Sequence, residues 1–308
     1  SPFTSVLIIY TSATLLGCSN ETTLLTLISG SPVLEDLISS LISTTYPKRN
    51  VLQLRSHTLK RINVNEFIDV VIDAPLLQCV RAKMYSTKNF QIINSGFPAK
   101  LDIDFLSTSV RYHKNVIRDI LIDISRVRDL VISSNTWKVY ISTFEHIYLK
   151  IFLYKSFFVH LCYQEFFLYS KSRPVRQFRY LSPLKARFYI SDLEMLPTLL
   201  ESCPKLESLI LEMVKKQSMG RHEEKREPNV MFSTVPRCLV SSLKFVELKR
   251  SIPRYEGEME LGRYFLTNST LLKKLRLNVH YTKKAKCAFL TELVAIPRCS
   301  STCEVLVL

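Results

Sequence analysis

Glycine is scarce in this chain, six residues among 308. Glycine supplies the left-handed turns and close backbone approaches that cradle phosphates, so Gly-rich nucleotide loops are excluded as a theme. Catalytic signatures are missing as well. There is no GxSxG nucleophile elbow and no HExxH helix, and His113, His146 and His160 each stand alone among apolar or basic neighbours, as packing or surface residues do. The eight cysteines, at 18, 79, 162, 203, 238, 287, 299 and 303, form no CxxC and no zinc-knuckle or small disulfide framework. They read as reduced, mostly buried thiols of a cytoplasmic or nuclear protein. The apolar opening "SPFTSVLIIYTSATLLG" lacks the basic n-region of a secretory signal, since the first Lys or Arg is Lys48. No apolar run reaches the roughly 18 residues of a membrane span, and no membrane partner is expected. No cofactor, metal or catalytic residue is implied.

What the chain does have is apolar surface. Hydrophobic residues make up 47% of it, with 17 Phe and 14 Tyr against 22% charged residues, enough for a large core. The formal charge of +15 suits nucleic acid, an anionic surface or an acidic protein, and equally an ordinary protein with a basic surface. The chain does not begin with Met and is expected to be the remainder of something longer.

A six-residue template, apolar-x-x-apolar-x-apolar, recurs along it. It fits Leu59/Ile62/Val64, Leu77/Val80/Ala82, Val127/Leu130/Ile132, Leu206/Leu209/Leu211, Leu243/Val246/Leu248, Leu272/Leu275/Leu277 and Cys303/Leu306/Leu308. A weaker copy holds Leu34 and Leu37, another candidate is "AKLDIDF" (Leu101, Ile103, Phe105), and a further rung is expected near Leu184. "GSPVLEDL", "DAPLLQCV" and "SCPKLESL" set Pro two residues before the first apolar position, where a donor-less residue suits the turn entering a strand. Between copies, 191–203, 258–269 and 285–296 read as helices, the first with Ser191 as N-cap and Glu194 completing a capping box. Strand, loop and helix in repetition predict an α/β solenoid of leucine-rich-repeat type.

The same stretches carry a resemblance to the plant F-box/FBD/leucine-rich-repeat proteins. "GSPVLEDL" and "SCPKLESLIL" resemble that family's cys-pro-x-leu-glu-x-leu rung, and "LQLRSHTLKRI" its following strand. "VPRCLVSSLKFVELK", "ELGRYFLTNSTLLKKLRL" and "AIPRCSSTCEVLVL" resemble successive parts of the FBD domain. The resemblance implies a repeat region over 1–214, a charged linker over 215–230 containing "RHEEKRE", and an FBD domain over 231–308 that continues the repeat. It also sets Cys299 and Cys303 in the family's pro-x-cys-ser-ser-x-x pattern; buried thiols are expected there, since a metal site would need ligands beyond the one neighbouring His280.

Two departures stand out. Nothing before residue 50 resembles the F-box, so binding of a Skp-type adaptor is expected only if an F-box lies upstream. The segment 139–164 is dense in Phe and Tyr and fits no rung. It opens with Val and closes with Gln, as a retained, T-rich intron would encode; a buried amphipathic insertion is the alternative.

The family's role is to hold substrates for an SCF-type ubiquitin ligase, so the expected function is a non-enzymatic protein-interaction platform. With the three apolar positions of each rung facing the core, side-chain alternation turns the residues between them outward. The candidate partner-binding residues are Arg61, Asn63, Arg81, Lys83, Glu247, Lys249, Lys274 and Arg276. Six basic and three acidic side chains on the assigned outward positions make the face mildly basic, which favours an acidic or phosphorylated protein substrate. A basic nucleic-acid-binding repeat protein is the competing class, though basic residues are spread along the chain rather than clustered with stacking aromatics. A non-functional fragment of a decayed family member is the third reading.

Overall fold

The structure is a computed structural model. It describes residues 12–16, 21–40, 52–65, 70–84, 90–93, 100–106, 127–141, 177–214, 232, 234–250, 257–279 and 281–308. The chain forms two compact units, one of Ser1–Val127 with Asn135–His160, the other of Arg128–Ser134 with Leu161–Leu308.

In the first unit the strands are β1 (Ser12–Leu16), β2 (Asp36–Ser40), β4 (Arg61–Asn65), β6 (Cys79–Met84) and β8 (Lys100–Phe105), joined side by side in that order. A second sheet takes β3 (Leu52–Arg55), β5 (Val70–Asp73) and β7 (Phe90–Ile93). Every pairing within these sheets is parallel. From β2 onward the chain therefore alternates between two sheets. Leu54, Val70, Ile72 and Phe90 of the second sheet are buried, as are Ile62, Val64, Val80, Ala82, Leu101 and Ile103 of the first. Helix α1 (Glu21–Gly30) joins β1 to β2. Strand-loop-helix rungs are expected throughout, but here a four-residue strand takes the helix's place. The register pairs Arg61 with Cys79, 18 residues on, and a coil that short has room for turns and a second strand but not for a three-turn helix.

Helix α2 covers 134–141. Thr136 Oγ1 accepts from Phe105 N at 3.0 Å and donates to Ile103 O at 3.1 Å, tying the helix to β8. Trp137 stacks on Tyr140 with centroids 5.0 Å apart, and both are fully buried. Val139 and Tyr140, the first residues of the atypical segment, thus belong to the core, while 142–164 lies outside the described residues.

The second unit carries β9 (Asp129–Ser133), β10 (Pro183–Tyr189), β11 (Ser208–Val214), β12 (Phe245–Arg250), β13 (Lys274–Asn278) and β14 (Glu304–Val307), again parallel and in chain order. Helices α3 (Leu196–Glu201), α4 (Arg237–Ser241), α5 (Glu258–Asn268) and α6 (Lys283–Ala295) fall between the strands. Helix over 191–203 is realised only in part: residues Ile190–Met195 form a 3-10 turn and α3 starts afresh at Leu196. Pro197 is the reason, because it has no N–H to give to a preceding turn and fits only the first turn of a helix. The capping box does not form, and Ser191 Oγ donates instead to Asp192 at 3.1 Å. Thr282 does cap α6, accepting from Ala285 N.

The repeat is visible in the joints. Pro32, Pro75 and Pro204 occupy tight turns closed by Leu34 N to Ser31 O, Leu77 N to Ala74 O and Leu206 N to Cys203 O, each at 3.1 Å. The carbonyls of Glu35, Lys60, Ser182, Glu207 and Lys244 each accept two successive N–H groups from the next rung. Thr58 and Ser242 hold equivalent places, donating to Leu34 O at 2.8 Å and to Leu206 O at 2.9 Å. The glutamate of the rung motif also has a physical task, since Glu35 pairs with Lys60 at 2.7 Å and Glu207 with Lys244 at 2.8 Å.

One rung is corrected. The template puts Leu306 and Leu308 inward, whereas the register pairs Leu275 with Val305 and Arg276 with Leu306. A one-residue slip exchanges the two faces of a strand. Leu306 therefore shares a ladder with the outward Arg276, and Leu308 is exposed.

Candidate functional site

The outward face of each sheet is the place where charged side chains gather, because the alternate positions are filled with buried Leu, Ile and Val. In the first unit the register lines up Asp36, Arg61, Cys79 and Lys100 in one row and Ile38, Asn63, Arg81 and Asp102 in the next. Arg61 grips Asp36 through Nε and Nη2, and that hydrogen-bonded carboxylate raises the guanidinium above its ordinary pKa. Arg81 Nε donates to Asp102 Oδ2 at 2.8 Å, with the aspartate side chain 4% exposed and the arginine 51%. Asn63 is half-buried, and its Oδ1 meets no hydrogen-bond partner among the described residues. Lys83 is exposed and pairs in register with Asp104.

In the second unit, Lys249 Nζ and Arg276 Nη1 both lie 3.8 Å from Glu247 Oε1. Lys274 Nζ lies 3.1 Å from Glu304 Oε2, and Lys185 and Arg187 both reach Glu212, at 3.2 and 3.8 Å. The candidates thus fall into two groups: Arg61, Asn63, Arg81 and Lys83 on one unit, Glu247, Lys249, Lys274 and Arg276 on the other.

The carboxylates Asp36, Asp102 and Glu304 are absent from the sequence reading of this face, as are the cations Lys185 and Arg187. Their signal lies in the template frame: Asp36 follows Leu34 by two residues, but the third apolar position of that rung is Ser39. These additions change the electrostatics. Cations and carboxylates alternate across neighbouring strands, so most of the basic character is spent in cross-strand pairs.

Among the described residues no group of three His, Cys, Asp or Glu could hold a metal ion. Cys303 is buried, which pushes its thiol pKa up, and Cys299 is exposed. His113, His146, His160, His280 and the 215–230 segment lie outside the described residues. No described helix is long and apolar enough to cross a membrane.

The fold defines an α/β repeat protein built on parallel sheet, of a kind compatible with leucine-rich repeats. The family model described as FBD matches residues 232–277. An F-box/FBD/LRR-repeat protein of Arabidopsis thaliana is 78% identical over 290 residues, 94% of this chain and 60% of that protein. A second F-box/FBD/LRR-repeat protein of the same plant is 41% identical over 299 residues (94% and 60%), and an FBD-associated F-box protein 35% over 312 (94% and 59%). The chain is similar to plant F-box/FBD/LRR-repeat proteins over 94% of its length, and it spans about 60% of the length of these relatives. No solved structure matches it.

Proposed function

We propose that this chain is the substrate-holding part of an SCF-type ubiquitin-ligase receptor. Its rungs stack as a solenoid and present the outward face of the parallel sheet to a protein partner. The observation that carries the reading is the row structure of that face: side chains from successive strands stand in register, giving a broad, ordered array of charged and half-buried apolar groups. A receptor of this kind needs no catalytic residue, because it raises the effective concentration of substrate near a charged conjugating enzyme. Its partner is a protein; a Skp-type adaptor joins only if an F-box lies upstream.

Nucleic acid is the weaker reading, because the Arg61 and Arg81 guanidinium groups that would contact phosphates already hold Asp36 and Asp102. The experiment is to read the native transcript from its 5′ end and across the codons for 139–164. The translated protein is then mixed with a Skp-type adaptor and passed over a sizing column. The reading predicts an in-frame F-box and a stable complex. Translation starting near Ser1 with no co-elution contradicts the ligase role.

A further inference from the structure

The outward face of the second unit holds a polar pair that the sheet leaves incomplete. The Glu247 side chain is 10% exposed, and its carboxylate accepts no hydrogen bond among the described residues, with Lys249 and Arg276 both standing off at 3.8 Å. Arg276 Nε is buried and donates to no described residue. The neighbouring cross-strand pairs close more tightly, Lys274–Glu304 at 3.1 Å and Lys185–Glu212 at 3.2 Å. Buried donors are normally satisfied, so Arg276 Nε, open beside a carboxylate that two cations reach only at 3.8 Å, points to something that fits over the pair.

The charges select the chemistry. An incoming carboxylate or phosphate at Arg276 would stand beside the buried Glu247 anion. An ammonium at Glu247 would stand beside Arg276 and Lys249. A neutral group carrying one donor and one acceptor suits both, and the primary carboxamide of Asn or Gln has them in one plane. The surroundings add a second requirement. Glu247 pairs in register with Ile210 on one side and Arg276 with Leu306 on the other, and both apolar side chains are half-buried on the same face.

We infer that Glu247 and Arg276 form a recognition site for an Asn or Gln side chain on an extended segment of the protein partner, with Ile210 and Leu306 receiving apolar residues two positions to either side. The inference rests on the reading that this face holds a protein, and names the side chain it takes. Neighbouring strands lie about 4.8 Å apart, so the midpoint of the pair stands about 7 Å from Ile210 and from Leu306, while two residues of extended chain cover about 6.7 Å. A segment crossing the strands therefore reads apolar-x-Asn/Gln-x-apolar.

Calorimetric titration of the whole chain with acetyl-Thr-Val-Thr-Gln-Thr-Val-Thr-amide tests this, against the same peptide with Glu, Lys or Leu in place of Gln. The Gln peptide is expected to bind at least about tenfold more tightly than each counterpart, and Glu247→Ala and Arg276→Ala each to remove the preference. If either variant unfolds, the Arg276 Nε–H resonance of the unaltered chain decides: it shifts with the Gln peptide and not with the Glu peptide. Preference for Glu makes this an anion site; equal binding of all four peptides, or no binding, leaves water to satisfy the pair. Each of these outcomes overturns the inference. If substrate recruitment in cells survives while the peptide preference fails, the inference alone falls; if both fail, the reading beneath it falls too.

Discussion

Gly262 of α5 lies so close to Leu293 of α6 that a Cβ on the glycine would stand 2.7 Å from Leu293 Cδ1. Leu293 is the buried side chain through which α6 is fixed, its neighbours on that helix being exposed or half-exposed. Glycine is kept inside a helix, at a cost of about 1 kcal/mol relative to Ala, in return for this approach. Gly262→Ala trades the helical gain against a rotation of one flexible leucyl end and is expected to stay within about 1 kcal/mol of the parent in denaturant unfolding. Gly262→Leu, which must displace α6, is expected to cost about 1–3 kcal/mol. Equal stability of the two variants would mean that α6 is not held through this contact.

Thr136 offers a second test of packing by polar atoms. Its hydroxyl closes two backbone groups at the end of β8, Phe105 N and Ile103 O. Thr136→Val keeps the shape and leaves both groups open, with an expected loss of about 1–3 kcal/mol, while Thr136→Ser retains most of the stability. Urea titrations of the two variants compare them directly.

The solenoid expectation came from one physical regularity, the inward-facing triplet, and that regularity was readable because burial repeats it. Leu206, Leu209 and Leu211, or Leu272, Leu275 and Leu277, are all fully buried. What was not readable had no periodic signal. Strands β3, β5 and β7 are four residues long, too short to declare a period of two, so the alternation between two sheets in the first unit stayed hidden. In the last rung the turn is one residue shorter, and a leucine at 306 satisfies an inward pattern as readily as an outward one. The face suffered similarly. Outward cations could be assigned from the template, but most of their carboxylate partners sit 21 to 30 residues away and become neighbours only through the register, as Arg81 with Asp102 and Lys274 with Glu304.

The buried thiols give the chain a pH response. Burial pushes the Cys203 thiol well above its ordinary range and the Cys238 thiol up to about 12, and burial likewise raises the Tyr264 hydroxyl. The native thiols keep protons that unfolded thiols release near pH 9, so the native state binds more protons above that point. Stability from these groups is therefore complete below pH 9 and falls as pH rises from 9 towards 12. Unfolding midpoints measured across this range should decline, and Cys238→Ala should flatten the decline. A parallel decline in the variant would assign the response to other groups.

The same burial orders the cysteines by reactivity. Cys287 and Cys299 are exposed and are expected to react with an aromatic disulfide reagent in seconds to minutes, whereas Cys203 and Cys238 wait for unfolding. Mass spectrometry of peptides after timed labelling separates them. Labelling of Cys238 at the rate of Cys299 would contradict the packing of α3 and α4.

The role proposed for the outward sheet face is to hold the protein that is to be ubiquitylated. Its most direct measurement is a quantitative comparison of ubiquitylated proteins in proteasome-inhibited plant cells expressing the full-length receptor, a Lys249→Ala/Arg276→Ala form of it, or a Lys205→Ala control in an exposed turn. The expected result is a defined set of ubiquitylated proteins that is present with the parent and the control and lost with the face variant, while all three unfold at the same temperature. A set that survives the face variant unchanged, or no receptor-dependent set at all, would contradict it.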